Sequence, residues 1–291
     1  MSAPLLEVHE LVKDFTVGRG RRRETHRAVD HVSFDVPEGE VLGLVGESGS
    51  GKSTTARCLL RLLEPTSGEV RFDGTDVLTA DRATMRRLRS DMQMVFQDPY
   101  SSLNPRARVE DIVAEGMVIH GTYRSRQQRR DRVVELLEMV GLQAQHLERR
   151  PVQFSGGQRQ RIGVARALAL EPRLLVCDEP VASLDVSIQA QILNLFKRLQ
   201  EELALTIVYI AHDLATVRFL CDRVAVMHQG VVQEIGDVDR IYQDPQSDYT
   251  RELLAAVPVP DPEVQRSRDR ERRASGLPST VPVDAQEVGT T

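Results

Sequence analysis

Cysteine is scarce in this 291-residue chain, with only Cys58, Cys177 and Cys221 present. The three have no metal-ligand spacing and form no even set. That excludes a disulfide framework and suits free thiols in a reducing compartment. Lysine is also rare. Lys13, Lys52 and Lys197 are the only lysines among 38 basic residues, so a lysine inside a motif carries unusual weight. No basic excess is present, since 43 acidic residues bring the net charge to −5. A dedicated nucleic-acid binder is therefore not expected, because its electrostatic footprint is basic. Long apolar runs are missing as well. The most apolar stretch, Leu203 to Ala211, is about half of the ~20 residues that a spanning helix needs. Met1 to Glu7 lacks a basic start followed by an apolar run, so no secretory signal is expected. No internal repeat is found, which points to one unit. What remains is 41% hydrophobic and 28% charged, ordinary for a folded chain with a core.

The hydrophobic pattern predicts an α/β protein. Leu6 to Val12 and Ala28 to Val36 alternate as N-terminal antiparallel strands, with a basic loop over Gly18 to Arg27 between them. Val41 to Val45 is a short apolar run suited to a strand buried on both faces. Thr54 to Leu63 follows as a helix, with Leu59, Leu60, Leu62 and Leu63 on its apolar side. Val70 to Leu78 is strand-like around an Asp73-Gly74 turn. From about residue 98 to 158 the chain turns polar, Arg-rich and helical, which predicts a helical subdomain inserted into the α/β core. Leu174 to Cys177 and Thr206 to Ile210 are further buried strands, with Cys177 as core. Arg223 to Val226 and Gly230 to Glu234 form a final β pair. The folded body should span 1–260, with a short extension over 236–260. Residues 261–291 are expected to be a disordered tail, since they are rich in charge and proline and poor in apolar residues.

Gly46-Glu47-Ser48-Gly49-Ser50-Gly51-Lys52-Ser53-Thr54 matches G-x-x-x-x-G-K-[ST] between a predicted strand and a predicted helix, the context this phosphate loop (Walker A) requires. Its glycines let successive backbone N–H groups curl around phosphate. The helix N-terminus adds its positive end. Lys52 places a point charge on the β- and γ-phosphates, and Ser53 offers a hydroxyl to Mg²⁺. Downstream, an apolar strand ends in Asp178-Glu179-Pro180. Ligands of open α/β sheets sit at such strand tips. Asp178 is placed to hold Mg²⁺, and Glu179 to polarise the attacking water as general base.

Phe154-Ser155-Gly156-Gly157-Gln158-Arg159-Gln160-Arg161 resembles the signature motif of the ATP-binding cassette (ABC) ATPases. A serine hydroxyl and glycine amides at a helix start make a second anion cradle. The resemblance implies that this cradle closes head to tail on the nucleotide of a second ATPase subunit. It also implies a P-loop NTPase fold with a RecA-like core. Gln97 resembles the Q-loop glutamine, which touches Mg²⁺ and the attacking water. His212 resembles the switch histidine at the γ-phosphate. Asp185, in Ser183-Leu184-Asp185, resembles the loop that communicates across the dimer. Phe15 sits where the family stacks an aromatic ring on adenine.

Phe96 to Arg106, Leu184 to Gln191, Tyr249 to Leu254 and Ala256 to Pro262 are similar to the oligopeptide, dipeptide and nickel importer branch. The resemblance covers about Leu6 to Pro262. It implies an ATP-hydrolysing subunit on the cytoplasmic face of the membrane, with ATP and Mg²⁺ as its ligands. Two permease subunits and an extracytoplasmic substrate-binding protein are the implied partners. A permease coupling helix is expected to press into the groove around Gln97 and the helical segment. Peptides are the implied cargo, with nickel or another small solute as the alternative. A soluble ABC-type ATPase acting on nucleic acid or ribosomes is the rival class. The stretch from Lys52 to Ser155 is too short for the long coiled coil of such proteins. Two departures stand out: Ala182-Ser183 replaces the branch's usual Ser-Ala before Leu-Asp, and Val152-Gln153 replaces His-Glu. No cysteine follows Cys221, which excludes an iron–sulfur site near the C-terminus.

Overall fold

The computed structural model describes residues 4–17, 24–123, 125–211 and 214–256. The strands are β1 (Leu6–Val17), β2 (Glu24–Val36), β3 (Val41–Val45), β4 (Ser67–Phe72), β5 (Thr75–Asp76), β6 (Met92–Val95), β7 (Leu174–Asp178), β8 (Thr206–Ala211), β9 (Arg223–His228) and β10 (Val231–Asp237). The helices are α1 (Lys52–Leu59), α2 (Arg82–Asp91), α3 (Pro99–Ser102), α4 (Val109–His120), α5 (Arg126–Met139), α6 (Gly156–Leu168), α7 (Val186–Leu203), α8 (Leu214–Leu220), α9 (Val238–Gln243) and α10 (Asp248–Ala255).

One sheet has the order β2-β1-β4-β5 and is antiparallel. The other has the order β10-β9-β3-β8-β7-β6. In it, neighbours from β9 to β6 run parallel, and only β10 is antiparallel, at the edge. The alternation of side chains explains why β3, β7 and β8 read as continuous apolar runs. Leu42, Leu44, Leu174, Val176, Val208 and Ile210 face a core shared with the antiparallel sheet and α1. Val41, Val45, Leu175, Cys177, Ile207 and Tyr209 face the opposite core, which contains α4 to α8. Each such side chain contributes roughly 1.5–3 kcal/mol when fully buried. A one-residue slip would exchange the two faces, so the register is strongly specified. Because β3, β6, β7 and β8 are parallel, their carboxyl ends open on one side of the sheet. The phosphate loop, the Gln97 segment and Asp178 all leave from that side.

The structure departs from the expected elements in several places. The helix expected over Thr54 to Leu63 begins at Lys52 and stops at Leu59. Arg61 takes a left-handed conformation (φ 48°), and the amides of Leu62 and Leu63 turn back to Arg57 O. Leu62 is consequently 52% exposed and is not part of the apolar side. The basic loop expected over Gly18 to Arg27 is shorter, since β2 begins at Glu24. Arg27 donates across the ladder to Asp14 at 2.8 Å and along its own strand to Asp30 at 3.1 Å. Residues 18–23 lie outside the described residues, as does the tail over 261–291. Finally, α2 and β6 are unexpected elements.

Candidate active site

The phosphate loop leaves β3 and turns at Gly46, whose φ of 149° only glycine adopts freely. A Cβ there would lie 2.0 Å from Met227 O. The loop ends at Gly51, which caps α1 without any side-chain hydrogen bond. The first amides of α1 thus have no side-chain acceptor, which is what a phosphate-binding helix start requires. Lys52 is 4% exposed. Its ammonium donates to Gly46 O at 2.7 Å, Glu47 O at 2.8 Å and Ser50 Oγ at 3.4 Å. Burial pushes its pKa below the usual lysine value, and the carboxylates of Glu179, Asp178 and Glu47 work against that shift.

Asp178 ends β7 almost fully buried. It accepts a hydrogen bond from Ser53 Oγ at 2.6 Å. A hydroxyl and a carboxylate oxygen side by side are hard donors of the kind that suit Mg²⁺. Glu179 follows in a left-handed conformation (φ 44°), sparsely populated for a residue with a side chain. Its amide donates to Ile210 O at 3.1 Å, which fixes the turn onto β8. Gln97 Nε2 donates to Glu179 Oε2 at 2.9 Å. The strands therefore deliver two linked pairs, Ser53–Asp178 and Gln97–Glu179, from three separate strand ends.

A cavity of about 350 Å³ joins Ser53, Gln97 and Glu179. It is lined by Ser48, Gly49, Gly51, Lys52, Ser53 and Thr54 of the loop, together with Gln97, Glu179 and Phe15. His26 and Ala28 line it too, although neither was an expected site residue. The signal for His26 was the ladder itself: β2 begins early enough to set His26 opposite Phe15. Gly46, Glu47, Ser50 and Asp178 are absent from the lining: the first three accept from the Lys52 ammonium, and the buried Asp178 is joined to the cavity through Ser53. His212 lies outside the described residues.

The signature segment sits elsewhere. Ser155 caps α6, accepting from the Gln158 amide at 3.3 Å, while Gln158 Oε1 accepts from the Ser155 amide at 3.1 Å. This reciprocal box was present in the sequence as Ser-x-x-Gln. Gly156 and Gly157 open the helix, and a Cβ on Gly157 would lie 2.5 Å from Ile188 Cγ2 of α7. Gly157 thus has a packing role independent of any anion. Asp185 caps α7 without a side-chain hydrogen bond. None of Ser155, Gly156, Gly157, Gln158 or Asp185 lines the cavity. The chain therefore carries a phosphate loop and a second helix start that does not share its cavity.

Comparison with known proteins agrees with this layout. Residues 29–182 match the ABC transporter family. The chain is 50% identical to the oligopeptide transport ATP-binding protein OppF of Bacillus subtilis, with 94% of this chain and 88% of that protein covered. It is 48% identical to a putative peptide import ATP-binding protein of Brucella ovis, covering 96% of this chain and 86% of that one. Among solved structures, the dimeric ATP-binding cassette MJ0796 in a post-hydrolysis state, bound to ADP and Pi, matches with a TM-score of 0.71 at 32% identity. That match covers 80% of this chain and 98% of MJ0796. The cbiO1 subunit of Clostridium perfringens matches with a TM-score of 0.72 at 28% identity, over 94% of this chain and 98% of that one. The family match over residues 29–182, and relatives about 50% identical over nearly the whole chain, place this chain in the ABC transporter family, as one of its ATP-hydrolysing cassettes.

Proposed function

We propose that this cassette is the ATP-hydrolysing subunit of a peptide importer, docked on the cytoplasmic face of a membrane. The observation that carries the reading is the meeting of Ser53, Gln97 and Glu179 with Lys52 at one cavity, with the buried Asp178 joined to it through Ser53 Oγ. Lys52 and the loop amides of Gly46 to Thr54 bind the β- and γ-phosphates of ATP, and Phe15 stacks on the adenine. Ser53, Gln97 and Asp178 hold Mg²⁺, which neutralises phosphate charge when bound. Glu179 takes a proton from the attacking water, and Gln97 orients both the water and the Glu179 carboxylate. His212 contacts the γ-phosphate. Ser155, Gly156, Gly157 and Gln158, with Asp185, complete the site of a second ATPase subunit. MJ0796 is dimeric, which supports that arrangement.

No described helix is long and apolar enough to cross a membrane. The power stroke therefore needs separate permeases, here two, with an extracytoplasmic binding protein delivering cargo. The helical segment of residues 98–158 presents the docking side. A cleft of about 400 Å³ where that segment meets the core is lined by Ile119 of α4 and by Leu62, Phe96 and Arg166 outside the segment, among others. Leu62, Phe96 and Ile119 are all exposed hydrophobic residues, suited to an apolar coupling helix. Peptide cargo follows from the peptide names of the relatives. The test is uptake of a radiolabelled tetrapeptide by cells lacking this subunit and supplied with either the wild type or Glu179→Gln. Uptake should return only with the wild type. Restoration of uptake by Glu179→Gln would remove Glu179 from the mechanism, and normal uptake without the subunit would remove peptides from its cargo.

A further inference from the structure

Tyr249, on α10, is far in sequence from the phosphate loop but touches it. Its hydroxyl accepts a hydrogen bond from the Glu47 amide at 3.4 Å. Its ring packs on His228 at the end of β9, with centroids 4.0 Å apart. The start of α10 is tied down separately, because Glu234 of β10 accepts from the amides of Gln246 at 2.8 Å and Ser247 at 3.0 Å. The turn between β9 and β10 also braces the loop. Gly230 N donates to Ser50 O at 3.0 Å, and Met227 O leaves no room for a side chain at Gly46.

One detail gives the contact a purpose. The Glu47 N–H and the Gly46 C=O belong to the same peptide unit, and in a trans peptide they point in opposite directions. Tyr249 holds the N–H end. Lys52 Nζ holds the C=O end at 2.7 Å. The two side chains therefore grip one peptide plane from opposite sides, and its rotation would release both. We propose that Tyr249 is a positioning residue of the nucleotide site, fixing the Gly46–Glu47 peptide so that the Lys52 ammonium is pre-placed for phosphate. The inference rests on the assignment of Lys52 to the phosphates of ATP. It makes the C-terminal helix part of the nucleotide site, although α10 contributes no residue to the cavity lining.

The test compares full-length wild type with Tyr249→Phe, which keeps the ring on His228 and removes only the hydroxyl. ATP affinity is measured by calorimetric titration, with KM, kcat and the melting temperature without nucleotide alongside. The account expects Kd and KM for ATP to rise by roughly two- to tenfold, the worth of one hydrogen bond. It expects kcat to change by less than about twofold, because the lost contact acts on binding. The melting temperature should stay within about 2 °C of wild type. An unchanged Kd would overturn the inference. So would a Kd rise matched by a large drop in melting temperature, which would make Tyr249 merely structural. If the wild type itself bound no ATP, the assignment of the phosphate loop would fail, and the inference with it.

Discussion

The starts of α1 and α6 are alike in sequence and unlike in situation. Each is a helix N-terminus with a small capping residue, Gly51 for α1 and Ser155 for α6. The α1 start has no side-chain cap, opens onto the cavity, and has Lys52, Asp178 and Glu179 around it. The α6 start is capped by its own Ser155–Gln158 box and does not line that cavity. The contrast teaches what each can do alone. On the proposed reading the α1 start receives phosphate within one chain. The α6 start has already satisfied some of its own amides in the Ser155–Gln158 box, and on the proposed reading it completes the site of a second subunit.

Predictions that sharpen the contrast begin at the α1 side. Glu179→Gln should lower turnover by roughly 10²–10⁴-fold, the usual worth of a general base. ATP binding should persist, because the amide oxygen of the new side chain still accepts from Gln97 Nε2. Steady-state ATPase and nucleotide titration read the two effects separately. Near wild-type turnover would show that the proton goes elsewhere.

A smaller effect is expected at the α6 side. Gly157→Ala must fit a methyl group where Ile188 Cγ2 stands 2.5 Å away. Overpacking costs about 1–3 kcal/mol, and the gain of alanine over glycine in a helix is at most about 1 kcal/mol. The net loss of order 1 kcal/mol should lower the melting temperature by a few degrees while leaving ADP affinity intact. Lowered ADP affinity would mean that the two starts are not independent. Least of all, deletion of residues 266–291 should leave ATPase activity and transport within about twofold, because their composition buries little apolar surface. A collapse of folded yield on truncation would contradict that.

Much of the α1 side was legible in the sequence because its parts are local. Val41–Val45 and Leu174–Cys177 are uninterrupted apolar runs, and each leads straight into its motif. Periodicity could not place Gln97 on a strand end, because β6 is only four residues long and follows a polar helix. The early stop of α1 depends on a left-handed Arg61, which no apolar pattern signals. The packing of Gly157 on Ile188 and the reach of Tyr249 to Glu47 depend on tertiary placement across distant segments. On the α6 side the serine and glycines at a helix start were legible as an anion cradle, and its closure on a second subunit's nucleotide came from resemblance alone.

The central claim is that a complete site needs α1 of one chain and α6 of another. Ser155→Arg tests it most directly, with ADP affinity and ATP hydrolysis measured on the same purified protein. The account predicts ADP affinity like the wild type, since Gly46 to Thr54 are untouched, and no hydrolysis above background, since a bulky cation blocks closure. In a homodimer, mixing this variant with Lys52→Ala should restore part of the activity, because one site in each mixed dimer joins an intact loop to an intact signature. Normal hydrolysis by Ser155→Arg as a monomer would contradict the account.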